Sequence, residues 1–199
     1  MMPGRSASTL VEVLVALAVF SLITALLAGV FLLSHRYTRV SQQLSRAQRE
    51  AAQCMQAFSS ELKRSHSQSF QATTATNETW FLSNRPPVGA GAQADFASSG
   101  EVLWQKWVAI WCQADGVVYR GELGLVGGAV PFSQVDLGNA PSSLAAISTQ
   151  PGKKRLAAAI RRFRVSLDER VVTVDLESET SNSGNPPTRY HTSSSFLIP

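Results

Sequence analysis

Glu12 makes the clearest chemical demand in this chain, because it opens a run from Val13 to Leu33 that holds no charged side chain. A carboxylate at the lip of such a segment is costly in lipid and needs a partner. Other chemistry-bearing residues are sparse. Cys54 and Cys112 fit either one disulfide or two separate buried thiols. They and His35, His66 and His191 form no CxxC or HxxxH arrangement, so no metal site is expected. There is no GxSxG, no Walker loop and no nucleophile with a base nearby in sequence, so neither catalysis nor a cofactor is expected. Asp168, Glu169 and Asp175 fall at turn and strand positions and read as solvated. Asp136 and Asn139 sit in a Gly-rich neighbourhood without the DxDxDG spacing of a calcium loop.

The elements that must carry these residues begin with the apolar run itself. Within it only Ser21 and Thr24 are polar, and at about 1.5 Å per residue it covers about 30 Å, the thickness of a bilayer's hydrocarbon core. The chain has 199 residues, of which 16% are charged, and a formal charge of +4. Beyond the run it is long enough for one modest core. Its basic residues are dispersed and no dense basic face alternates with aromatics, which argues against a nucleic-acid partner. The Ser-, Ala-, Gln- and Thr-rich remainder fits an exported domain, where a disulfide could persist.

A single helix is expected from Thr9 to about Arg64, with no internal proline. Its first half is apolar all round. In its second half Tyr37, Val40, Leu44, Ala47, Ala51, Cys54 or Met55, Phe58 and Leu62 repeat at helical spacing, a stripe that must cover something. The rest reads as strands: Thr79–Leu82, Glu101–Cys112, Val117–Glu122 after the turn signal Asp115-Gly116, Leu156–Leu167, Val171–Leu176 and Tyr190–Ile198. Alternation places Val102, Trp104, Val108 and Ile110 on one face of the second strand, with Trp107 and Trp111 on the other. Loops are expected at Leu125–Gly152 and Ser178–Pro187. The layout is α+β, one helix packed on one antiparallel sheet. Four tryptophans, Trp80, Trp104, Trp107 and Trp111, are expected to pack under the helix or between subunits, with an exposed adhesive surface as the alternative.

The stretch Ser8-Thr9-Leu10-Val11-Glu12-Val13-Leu14 resembles the amino-terminal signature of type IV prepilins and type II secretion pseudopilins. Later segments, Arg46–Arg64 and the Trp107–Arg120 hairpin, resemble the J/W-type minor subunits of that family. The resemblance implies a pilin-like fold with a leader at residues 1–7, a transmembrane and assembly helix at 8–33 and a globular domain at 34–199. It implies cleavage between Ala7 and Ser8 by a prepilin peptidase, N-methylation of Ser8, and pairing of Glu12 with the amine of a sister subunit. The family usually has Gly and Phe flanking the cut, where this chain has Ala7 and Ser8. Gly4 offers another cut, but that would make Glu12 the eighth mature residue and put it out of register. The implied location is the inner membrane, single-pass with a cytoplasmic leader, then a periplasmic or extracellular filament.

Two rivals compete with this reading. A cleavable secretory signal is disfavoured because the run is too long and no tidy small-x-small site follows it. A plain single-span anchor carrying an adhesive β-domain is the stronger rival. Arg36 and Arg39 after the run outnumber Arg5 before it, which by the positive-inside rule favours a cytoplasmic C-terminus. An interfacial Glu12 that merely snorkels to headgroups is the corresponding plain role for the carboxylate.

Overall fold

The computed structural model describes residues 9–73, 77–87, 96–125, 127–135, 137, 153–180 and 187–198. Ala7, Ser8, Asp136 and Asn139 lie outside the described residues. The chain divides into two units, Met1–Gln43 and Leu44–Pro199.

Helix α1 spans Leu10–Leu62. From Leu10 to Arg39 every residue except Gly29 is exposed. The two hydroxyls in the apolar run are satisfied within the helix: Ser21 Oγ donates to the Ala18 carbonyl and Thr24 Oγ1 to the Phe20 carbonyl, both at 2.8 Å. That removes the main cost of a hydroxyl in an apolar medium. Beyond Gln43 the stripe emerges as expected, with Ala47, Ala51, Cys54, Met55, Phe58 and Leu62 buried. Tyr37 departs from the expected stripe and is 70% exposed.

Three antiparallel sheets form among the described residues, not the single sheet expected. Strands β1 (Gln71–Thr73), β2 (Glu78–Ser83), β4 (Lys106–Cys112), β5 (Val118–Gly124) and β7 (Lys154–Ala157) make one, in the order β1-β2-β4-β5-β7. Strands β8 (Ile160–Asp168), β9 (Val171–Thr180) and β10 (Thr188–Leu197) make the second, in the order β10-β9-β8. Strands β3 (Leu103–Trp104) and β6 (Val130–Pro131) pair as the third, so short structure interrupts the loop expected from Leu125. The expected Glu101–Cys112 strand is broken at Gln105, whose N–H donates to the Ser83 carbonyl. The expected Leu156–Leu167 strand is broken at Ala159, which takes φ 57°. Strand β9 extends to Thr180, into the segment expected to be a loop.

One core joins the helix to both larger sheets. The Phe58 ring lies 6.3 Å from Phe81 of β2, 6.4 Å from Phe163 of β8 and 6.2 Å from Phe196 of β10. Val108, Ile110, Val172, Val174 and Leu176 complete the surroundings, each 0% exposed. The turn between β4 and β5 also ties the sheets together. Gly116 has φ +75°, and its carbonyl accepts the Ile160 N–H at 2.8 Å. A Cβ there would stand 2.9 Å from the Ile160 oxygen, so glycine is required on two counts.

Glu61, in the last turn of α1, is a charged residue inside the buried stripe. It is buried and pairs with Arg120, Nη2 to Oε1 at 2.9 Å, which pairs with Glu122 at 3.0 Å. Glu122 accepts from Lys106 Nζ at 2.6 Å. With Arg85 also 3.9 Å from Glu61, the two buried acids face three bases, so neither carboxylate is buried without a counter-charge. The tryptophans also correct an expectation. Trp80, Trp104, Trp107 and Trp111 are each at most 9% exposed, so they form no exposed adhesive surface. They cluster with Leu82 and Ala109 on the face of the sheet opposite the helix. The break at Gln105 is what puts Trp104 with Trp107 and separates it from Val108.

Urea unfolding of a fragment beginning at Arg36 should show Phe58→Ala costing ~3–5 kcal/mol, as a large-to-small change in a packed core. Exposed Arg46→Ala should stay within about 0.5 kcal/mol. Equal, near-zero effects would refute the docking of α1 on the sheets.

Candidate functional site

The start of α1 is built by two residues, Thr9 and Glu12. The first turn of a helix leaves backbone N–H groups without intrahelical acceptors. Here the Thr9 N–H donates to Glu12 Oε2 at 2.9 Å, and the Glu12 N–H donates to Thr9 Oγ1 at 3.4 Å. This is a reciprocal capping box, with Thr9 as N-cap and Glu12 at the third helical position. The carboxylate also sits at the positive end of the helix dipole. The spacing Thr9-x-x-Glu12 signals this box in the sequence, a local role distinct from both the inter-subunit pairing and the interfacial position expected of Glu12.

The cap fixes where the carboxylate points. Its bond uses one oxygen, Oε2, and Glu12 remains exposed. Glu12 lines a shallow groove with Val11, Val15, Ala16, Val19, Phe20 and Ile23, an otherwise apolar strip. An acceptor oxygen at the head of an apolar strip can bind a cationic donor carried on another apolar helix. Among the described residues no group of three or more His, Cys, Asp and Glu side chains is placed to hold a metal ion.

Of the other residues singled out from the sequence, Cys54 is buried in the main core and Cys112 is half-buried at the end of β4. Both are free thiols. His66 belongs to the Leu44–Pro199 unit; its ring stacks on Phe132 with centroids 3.7 Å apart, and burial holds its pKa below the ordinary value. Asp168 and Glu169 are exposed, as expected, and Asp175 is half-buried.

Geometry and hydropathy together define a class: a membrane-anchored, single-pass α+β protein whose long helix presents a capped carboxylate at its start. The helix contains an 18-residue window of mean hydropathy 2.7, none of it buried within the chain. Residues 2–28 match the prokaryotic N-terminal methylation motif, so the chain carries a type IV pilin-like signature. Neither a curated protein nor a solved structure matches the chain.

The capping box can be tested apart from any assembly. Amide hydrogen exchange in detergent micelles should show Thr9→Ala speeding exchange at Glu12 and its neighbours roughly five-fold, the equivalent of about 1 kcal/mol of lost capping. Glu12→Gln should leave protection near wild type, because Gln also closes the box. Unchanged exchange in Thr9→Ala would remove the cap from the account.

Proposed function

We propose that this chain is a minor pilin or pseudopilin subunit of the J/W type, assembled into a type IV pilus or a type II secretion pseudopilus at its initiation or tip. The observation that carries this reading is the methylation motif over residues 2–28 running into a helix whose apolar half is exposed on every side. An all-apolar exposed helix is at home in a bilayer, or among other apolar helices once it leaves the bilayer. In this reading the leader, residues 1–7, stays cytoplasmic. A prepilin peptidase cuts between Ala7 and Ser8, the new Ser8 amine is N-methylated, and the domain stands outside the inner membrane.

Glu12 then sets the axial position of the subunit. Its cap occupies Oε2, so the pre-oriented carboxylate meets the Ser8 amine of a sister subunit without first reorganising the helix start. Pairing a buried carboxylate with an amine offsets the desolvation that each would suffer alone among apolar helices. The four tryptophans, which the competing anchor reading would place on an adhesive surface, are buried.

Co-expression with a prepilin peptidase and its sister subunits tests the proposal. Mass spectrometry of the mature N-terminus should show loss of Met1–Ala7 and a methylated Ser8; an intact leader would favour the plain anchor. Glu12→Ala and Glu12→Gln should both be cut normally yet fail to enter filaments or to cross-link with sister subunits. Thr9→Ala, which keeps the charge and loses the cap, should assemble with a milder defect. Normal assembly of both Glu12 variants would leave the carboxylate as an interfacial residue only.

A further inference from the structure

Cys54 and Cys112 are separated by most of the five-stranded sheet in sequence, yet the fold brings them to one level of the helix–sheet interface. Along β4 every second residue faces the helix. Val108 and Ile110 do so within the core, and Cys112 is next in that alternation and packs against the same core. Across the sheet Cys112 lies opposite Val118, which lies opposite Ala157. One residue further on, the Ala158 N–H donates to Glu50 Oε2 of α1 at 2.8 Å. Cys54 stands one helical turn beyond Glu50, is fully buried, and belongs to the same core. Both sulfur-bearing side chains therefore pack on the one core that α1 shares with the sheets.

We propose that Cys54 and Cys112 form a redox pair that closes into a disulfide once the Leu44–Pro199 unit is outside the cytoplasm, fastening α1 to β4. The proposal rests on the topology of the pilin reading, which places that unit in an oxidising compartment where such bonds persist. The oxidant is a disulfide-bearing thiol oxidase or a small-molecule disulfide. The Cys112 thiolate attacks one sulfur of that disulfide, giving a mixed disulfide and releasing one oxidant thiolate. The Cys54 thiolate then attacks the Cys112 sulfur and expels the second. Both electrons end on the oxidant, now a dithiol, and the two cysteine protons neutralise its two thiolates.

Order of events follows from burial. In the folded unit burial pushes Cys54 up to about 12 and Cys112 up to about 11, so both remain protonated at neutral pH and exchange slowly. The bond therefore forms while α1 is still docking, with half-buried Cys112 the first to meet the oxidant. Once formed, it constrains the unfolded chain across the segment that holds β1 to β4.

The test uses the full chain, extracted from membranes in detergent without reductant and alkylated under denaturing conditions with a mass-tagged maleimide. No tag should add before reduction and two after it, and digestion should yield a peptide linking Cys54 to Cys112. Protease access to the globular unit in spheroplasts reads the topology separately. Two tags without reduction on an externally accessible unit would overturn the disulfide and leave the pilin reading standing. A unit protected inside would overturn that topology instead. Refolding the reduced, denatured chain in an oxidising glutathione buffer then decides the pair itself, and failure to lose two thiols there would overturn it. Cys112→Ala should lower the melting midpoint relative to wild type without reductant, with the gap closing when reductant is added.

Discussion

The fold depends on one stripe of side chains, Ala51, Cys54, Phe58 and Leu62, burying itself against strands from two different sheets. Phe58 is the point where the three layers meet, with aromatic neighbours on β2, β8 and β10. The three-stranded sheet and one face of the five-stranded sheet turn toward the same cluster, while the other face of the five-stranded sheet carries the tryptophans. The helix is therefore the element that makes one hydrophobic interior out of two sheets. The same continuous helix stops being apolar on every side after Leu33, and its fully buried stripe begins at Ala47.

Carboxylates govern this helix near both ends, and they do so differently. Glu12 satisfies N–H groups at the first turn while staying exposed. Glu61, in the last turn, is buried and meets Arg120, with Arg85 3.9 Å away. Between them Glu50 accepts the Ala158 N–H and lies 3.6 Å from Arg155. Packing of alkyl and aromatic groups tolerates sliding and rotation better than ion pairs do. Glu50 and Glu61, eleven residues apart on α1, pin it at two points, each to a specific strand or turn.

Local patterns made the long helix, the β4–β5 hairpin and strands β2, β9 and β10 legible, because each has the period of its element and a turn signal at its end. Sheet membership was not legible. Residues Leu156–Leu167 read as one strand because Ala157-Ala158-Ala159 contains neither Gly nor Pro. The change of sheet instead turns on Ala159 adopting a positive φ, held by the Glu179 N–H donating to its carbonyl. The face assigned to Trp104 failed for a similar reason, since Gln105 interrupts the strand without any composition signal. Glu61 and Arg120 are 59 residues apart, so no local rule could pair them. At the candidate site the signature and Glu12 were readable, whereas the cap was present in the spacing and passed over. The cut itself, at Ala7 and Ser8, stays a matter of resemblance and motif.

The tryptophan cluster gives this protein an unusual optical character. All four indoles lie in one layer, on the side of the five-stranded sheet away from α1, and Trp111 stacks on Tyr119 with ring centroids 5.8 Å apart. The helix has no indole of its own. Intrinsic emission therefore reports the dryness of that outer layer, while far-ultraviolet ellipticity is weighted toward the helix. A spectrometer that follows both signals watches the two faces of one sheet independently.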